Sequence, residues 1–412
     1  MSTAANKAIR PSYAIIFMVS GAHLINDLLQ FLLPALYPLL KANYDLDYFQ
    51  LGLLTLAQQI TASLLQPAMG LYGDVKPKPY LLAVSLVIVA AGIVLLATAS
   101  SFLLLLVAAA VMGVGSALFH PEASRIARLA SGGRLGFAQS SFQVGGNTGT
   151  ALGPLAAALI VLPLGQISTV WFGLLAVVGA IVLTHVARWY ANHQISIKKS
   201  GATMPARSPV AQRQLVIAFA VVGSLLLSKY VYIETFKTYY AFFLIEKFAL
   251  PVREAQGYLF AFLAAIAVGT FFGGPIGDKV GRIKVIWGSI LGALPFALLL
   301  PHMNLFGTAV MSIMVGLILS SAFSAIVVYA QELLPRKVGM VAGFVFGFAF
   351  GIGALGAALL GAVADQIGIE YVFNACPLLL LLGFLTILLP NIETAAPTQK
   401  LGKITEARQP GQ

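Results

Sequence analysis

The octapeptide "HLINDLLQ" (23–30) sets His23, Asn26 and Asp27 in a run from Tyr13 to Leu40 that is otherwise almost entirely apolar. His23 and Asp27 are four residues apart, so on a helix they share a face, about 6 Å apart along its axis. Asn26 and Gln30 form an adjacent polar pair with the same spacing. Ionisable groups are costly within hydrocarbon, and where they occur they mark cavities, proton relays or ion paths. Lys229, in "SKYVYIETFKTYY", is a second case, with no carboxylate at i±3 or i±4. A buried ammonium there calls for an anionic ligand, or for Asp27 from the other half of the chain. Glu234 and Lys237, three apart, are spaced to pair with each other.

A third polar group is "FHPEASRIARLASGGRLGFAQSSFQVGGN" (119–147). It holds His120, Glu122 and Arg125, with Pro121 placed to bend the helix, and then Gln139, Gln143 and Asn147 at four-residue spacing on one face. Lys229, His23, His120 and Arg125 form a cationic set suited to an anion, with Gln143, Asn147 and Asn26 as neutral partners. Asp27 and Glu122 are acids placed to exchange protons with that set. Plainer uses stand beside these readings. His23 bonded to Asp27 would fix its own helix, and Arg125 or Arg128 would anchor in lipid headgroups. For Arg128 the headgroup is the expected place.

The elements that must hold these residues are membrane helices. The 412-residue chain is 59% hydrophobic and 9% charged, with a mean hydropathy of +0.91, whereas soluble domains carry about 25% charged residues. Twelve apolar stretches are each long enough to cross about 30 Å of hydrocarbon with about 20 residues. They lie near 13–40, 48–72, 80–99, 102–124, 135–162 and 168–190, then near 213–246, 254–278, 283–301, 305–333, 338–364 and 370–390. Their length and spacing predict an all-α bundle rather than a barrel. The first span lacks a small-residue cleavage site and reads as retained. Cys376 is the single cysteine, so no intramolecular disulfide forms.

The net charge of +11 is distributed in a way that excludes a nucleic-acid footprint. With the loops numbered alternately, 20 of the 25 Lys and Arg residues fall on the side of the N-terminus. The positive-inside rule then places both termini in the cytoplasm, and the expected location is the cytoplasmic (inner) membrane. The polar stretch "ANHQISIKKSGATMPARSPVAQ" (191–212) divides the spans six and six. The organisation expected is an N-terminal lobe over 1–190, a cytoplasmic linker over 191–212 and a C-terminal lobe over 213–412. The halves repeat weakly: "GLYGD" ends at Asp74 and "GPIGD" at Asp278, 204 residues on, while Gly136 and Gly339 open the fifth span of each half. Such parallel repeats imply a pseudo-two-fold axis along the membrane normal, with the site between the lobes.

"GGPIGDKVGRIK" (273–284) is the most specific string. It matches the loop signature Gly-x-x-x-Asp-x-x-Gly-Arg-x-Lys/Arg of the major facilitator superfamily through Gly274, Asp278, Gly281, Arg282 and Lys284. Gly274 and Gly277 allow close helix approach, Gly281 a sharp turn, and Asp278 with its basic cluster a latch across the lobes. The first-half copy keeps Gly70, Gly73 and Asp74, but "VKPKP" replaces its Gly-Arg portion. Gly145, Gly149, Gly153 and Pro154 resemble the Gly-Pro motif of the superfamily's antiporters, with Ala157 and Ala158 where further glycines would stand. They equally suit plain packing. "GIGALG" (351–356) has the glycine pattern of a nucleotide loop, but it lies in mid-span with no preceding strand. No Walker motif, nucleophile–base pair or metal cluster is present, so neither an ATP-driven pump, an enzyme nor a metal site is expected.

At these residues the sequence resembles the fosmidomycin-resistance exporters of the superfamily. The strings that carry the likeness are "HLINDLLQ", "SLLQPAMG", the 119–147 run, "SKY", "LFAFLAA", "GGPIGDKVGRIKVIWGSILG" and "YAQELLP", over about residues 13 to 390. The resemblance implies a proton-coupled antiporter, active as a monomer and driven by the proton gradient without a cofactor. Its substrate would be a small phosphonate drug with a formyl-hydroxamate end. An organic-anion symporter would use the same cationic cavity, and a non-transport receptor on this fold is a further alternative.

Overall fold

The computed structural model describes residues 11–46, 48–200 and 210–392. Among them the chain forms twelve long helical segments and no strand. In the first half these are α1 (Tyr13–Ala35), α2 (Tyr48–Val75), α3 (Leu81–Thr98), α4 (Phe102–Ala130), α5 (Leu135–Ala156) and α6 (Val170–Ser200). The second half holds α7 (Gln212–Phe248), α8 (Val252–Val280), α9 (Arg282–Leu299) and α10 (Leu305–Ser320, resumed at Ala322–Leu333). It closes with α11 (Val338–Ile367) and α12, which is α-helical over Ile369–Ala375 and 3-10 over Cys376–Leu388. The part of the expected linker at 201–209 and both chain ends, with Lys7, Arg10, Arg207, Lys400, Lys403 and Arg408, lie outside the described residues.

The connections are short because glycine permits them. Gly165, Gly281 and Gly368 all have φ between 81° and 100°, a region where a side chain would be strained. Ser101 and Asn304 cap α4 and α10 by accepting from Leu104 N and Gly307 N. Ten of the helices are long and apolar enough to cross a membrane by length and composition. The two that fall short, α2 and α5, carry Gln58, Gln59 and Gln66, and Gln139, Gln143 and Asn147. Their polarity lies inside the bundle, where these side chains are buried or line a cavity. The perimeter is apolar, with Leu103, Trp171, Phe306 and Ile387 among the most exposed side chains, as a lipid-facing surface requires.

The packing repeats itself. α1 packs on α5 as α7 packs on α11, α2 on α4 as α8 on α10, and α3 on α4 as α9 on α10. This yields two six-helix lobes. They meet through α2 against α11 and α5 against α8, with α4 also touching α11. Gly145 and Gly149 of α5 serve the packing within the first lobe: a Cβ on Gly145 would strike Ser20 O, and one on Gly149 would strike Leu24 O, both on α1.

Candidate functional site

α1 and α4 bring His23, Asp27 and His120 together in the first lobe. His23 Nε2 lies 3.3 Å from Asp27 Oδ2, and His120 Nε2 lies 3.5 Å from Asp27 Oδ1. The two Nε2 atoms are 3.2 Å apart. His23 Nδ1 reaches Phe142 O at 2.7 Å, and His120 Nδ1 lies 3.0 Å from Ser116 O and 3.2 Å from Ser116 Oγ. Asn26 Nδ2 donates to Asp27 Oδ1 at 2.9 Å, so Asn26 serves the aspartate rather than facing the cavity. The His23 ring stacks on Phe142, and the His120 ring packs against Phe346 and Phe350 of α11 in the opposite lobe. The backbone of Gly146 closes over the cluster: a Cβ there would strike His23 Nε2 and crowd Asp27 Oδ2. The sequence reading expected no metal site, yet ligand-type atoms of His23, Asp27 and His120 lie within 4.8 Å of one another. A proton or a metal ion could bridge such a spacing.

These three side chains line one wall of a cavity between the lobes, together with Gln30, Gln58, Gln143 and Asn147. Lys229, Tyr230, Thr270, Phe323 and Phe350 form the facing wall. Asn147 Nδ2 donates to Thr270 Oγ1 across the lobes at 3.1 Å. Lys229 is buried at 1% exposure. Its ammonium donates to Ser320 O, at the break in α10, at 3.5 Å, and lies 5.3 Å from the Phe323 ring centre and 5.8 Å from that of Tyr230. Among the described residues no carboxylate lies within 4.0 Å of it, so the expected alternative of pairing with Asp27 is not realised. Asp27 is held instead by two imidazoles and an amide. Glu234 and Lys237 pair at 2.7 Å, as their spacing predicts, and line the cavity farther along α7.

At the other end of the bundle the lobes are stitched together. Asp74, closing α2, accepts from the backbone N–H groups of Gly339 (2.9 Å) and Met340 (2.8 Å) at the start of α11. Asp278, closing α8, accepts from Gly136 (2.8 Å) and Phe137 (3.0 Å) at the start of α5. Each carboxylate thus caps a helix of the opposite lobe, where its charge meets the positive end of the helix dipole. Glycine makes the approach possible. A Cβ on Gly70 would strike Gly339 O, and one on Gly274 would strike Gly136 O. Gly277, by contrast, meets only Val285 and Ala325 of its own lobe, at ordinary separations.

The arginines differ from expectation. Arg125 and Glu122 do not line the cavity: Arg125 bonds Glu122 and the Gly73 carbonyl, and lies 3.4 Å from Asp74. Arg282 lies 3.6 Å from Asp278 and 3.2 Å from Glu332, both in its own lobe, while Asp278 makes its cross-lobe bonds to main chain. Arg128, expected among headgroups, is half-buried and interacts electrostatically with Glu332 and Arg282 of the opposite lobe. Gln139 accepts from Ser124, which in turn accepts from Gln331 of the opposite lobe, so it belongs to the stitched end rather than the cavity wall. The sequence reading missed the partners of the two aspartates, Gly136 and Gly339 with their neighbours, although their equal offset was a usable signal.

The chain matches the family model of the Major Facilitator Superfamily over residues 19–246 and 233–408. It is 49% identical over 391 residues to the fosmidomycin resistance protein of Escherichia coli, covering 95% of this chain and 96% of that one. It is 40% identical to the uncharacterized MFS-type transporter YfnC of Bacillus subtilis, covering 92% and 93%. Solved structures share the fold. The human organic anion transporter MFSD10 (TETRAN) superposes with a TM-score of 0.70 at 18% identity, over 92% of this chain and 100% of that one. A variant of the E. coli fucose:proton symporter FucP gives 0.68 at 15% identity, over 94% and 98%. Family model and relatives alike are those of transporters, neither enzymes nor cofactor-binding proteins. This multi-pass membrane chain belongs to the Major Facilitator Superfamily of transporters and, within it, to the family of the fosmidomycin resistance protein.

Proposed function

We propose that the chain exports small phosphonate-type organic anions, fosmidomycin among them, in exchange for protons. The observation that carries this reading is Lys229: a buried ammonium on the cavity wall, facing no carboxylate within 4.0 Å among the described residues. Removing such a charge from water is costly, and an anionic ligand is the natural compensation. The name of the relative at 49% identity supplies the drug. His23, His120, Gln143 and Asn147 line the same cavity and supply the remaining polar contacts. Of the two acids proposed to carry the proton, Asp27 faces the cavity, while Glu122 sits beneath it in its pair with Arg125.

The transporter works as a monomer in the cytoplasmic membrane with both termini cytoplasmic. Its lobes span 1–190 and 213–412, joined by a linker over 191–212. The end closed by Asp74 and Asp278 is then the cytoplasmic one, and cargo in the cavity faces outward. Asp74, Gly274, Asp278, Gly281 and Arg282 act as the gate on that side rather than as ligands of the cargo.

The test is binding of fosmidomycin to purified protein. Lys229→Ala should weaken it by about 2–5 kcal/mol, roughly thirty-fold to several-thousand-fold in Kd, the usual cost of removing one partner of a buried charge pair. Lys229→Arg should recover part of the loss. Unchanged affinity in Lys229→Ala would place the anion elsewhere. Drug uptake into everted but not right-side-out vesicles, driven by an inward-acid proton gradient, checks the direction.

A further inference from the structure

The imidazoles and the carboxylate of the first lobe can be counted proton by proton. A carbonyl oxygen only accepts, so the 2.7 Å bond to Phe142 O fixes the proton of His23 on Nδ1. In the neutral ring, Nε2 is then a lone pair, and it points at Asp27 Oδ2 (3.3 Å) and at His120 Nε2 (3.2 Å). His120 is freer. Its Nδ1 either donates to Ser116 O or accepts from Ser116 Oγ, so its own proton can sit on either nitrogen. With no added proton, His23 Nε2 and the two Asp27 oxygens converge as acceptors; Asn26 Nδ2 donates to Oδ1, and at most one further N–H, that of His120, is available to His23 Nε2 and Oδ2. Two buried acceptors facing each other without a hydrogen between them are unfavourable. One extra proton on His23 Nε2 turns its contact with Asp27 into a charge-assisted hydrogen bond and resolves the conflict.

A proton is not the only occupant that satisfies this acceptor set. A hydroxyl or N–H donor on a molecule in the cavity does the same, because His23, Asp27 and His120 all line that cavity. We infer that the group is the exchange point: it holds either one proton or one hydrogen-bond donor of the cargo, and never both. This rests on the anion-export reading and sharpens its cargo class to an anion bearing an O–H or N–H donor at its far end. Lys229 takes the anionic end and the His23–Asp27–His120 group takes the donor. Electrostatics alone would let an anion and a proton bind together, which favours co-transport. Competition for the same lone pairs supplies the opposite sign, which exchange requires.

The charged groups around the site are few. α1 contributes Asp27 and α4 contributes His120, while Lys229, Glu234 and Lys237 face the site from α7. α2 and α5 present Gln58, Gln143 and Asn147, and α11 presents Phe350. Glu122 and Arg125 are paired below. The displaced proton leaves from His23 Nε2 to the water of the cavity. Since Phe346 and Phe350 of the second lobe cover the His120 ring, any rocking of the lobes changes which side that water comes from.

Titration calorimetry of the purified protein near neutral pH, repeated in buffers of different ionisation enthalpy, tests this. Fosmidomycin should release about one proton per molecule bound. Its N-methoxy derivative, which keeps the phosphonate and lacks the hydroxyl donor, should bind more weakly and release none. His23→Gln should still bind fosmidomycin through Lys229, without release. Undiminished release with the methoxy derivative, or in His23→Gln, overturns the inference while leaving anion export intact. A metal ion that co-purifies stoichiometrically and is lost with binding on chelation also overturns it, since the group would then be a metal site. If the parent protein does not bind fosmidomycin at all, the export reading falls and this inference with it.

Discussion

Asp74 and Asp278 perform the same act in surroundings of different origin. Each ends the second helix of its lobe, and each accepts two main-chain N–H groups from the other lobe, all between 2.8 and 3.0 Å. Around Asp278 the arginine comes from its own loop, Arg282, steadied by Glu332 of α10. Around Asp74 the loop reads "VKPKP" and has no arginine, so Arg125 arrives from α4 with Glu122 as its companion. The loop motif is complete in one lobe and partial in the other, while the arrangement of carboxylate, arginine and glutamate stands in both, supplied in the first lobe by a neighbouring helix. What matters physically is the capped helix end and a cation beside the cap, not the string that supplies them.

Breaking the Asp74 side should cost most. Arg125→Gln strands the buried Glu122 carboxylate and removes the cation beside Asp74, at about 3–5 kcal/mol, and should lower the thermal unfolding midpoint of the detergent-purified protein. An unchanged midpoint would show that the α4 arginine is no substitute for the loop arginine. Asp74→Asn and Asp278→Asn come next. An amide keeps one acceptor and loses the charge-assisted second bond, worth about 1.5–3 kcal/mol, or roughly tenfold to a hundredfold in the balance between sealed and separated ends. Both should slow transport and spare drug affinity, and both should speed labelling of a cysteine placed at Ser140. If only Asp278→Asn does so, the equivalence of the two caps fails. Arg282→Gln should cost least, about 1 kcal/mol, because its ion pairs are partly exposed. A loss equal to that of Arg125→Gln would mean the loop arginine is as deeply embedded as its counterpart.

The lobes, the spans and the polar stripe of α5 were legible because they follow from hydropathy and period. Glu234 with Lys237 was legible because three-residue spacing alone brings the two together. The placement of Glu122 and Arg125 away from the cavity was not read, although the helical period held the answer. Glu122 lies about 200° around α4 from His120, so the two cannot face one cavity. Gln139 fails for another reason: it shares a face with Gln143 but lies one turn nearer the stitched end, and depth along a helix is invisible to face periodicity. The bonding of Lys229 and Asp27 depended on how the lobes dock, which no local pattern encodes.

The partners of Asp74 and Asp278 are main-chain amides, and this changes how the contact between the lobes records its history. Phe137 and Met340 can exchange side chains, proline excepted, without withdrawing an N–H donor, while Gly136 and Gly339 are held as glycine because a Cβ on either would strike a glycine carbonyl of the opposite lobe. An aspartate whose partner is backbone has no partner residue to drift with it. Paired substitutions between the lobes would therefore carry little trace of these four bonds, even though they join the halves. A search for co-varying positions would find the cavity and the helix packing, and would pass over the clasp.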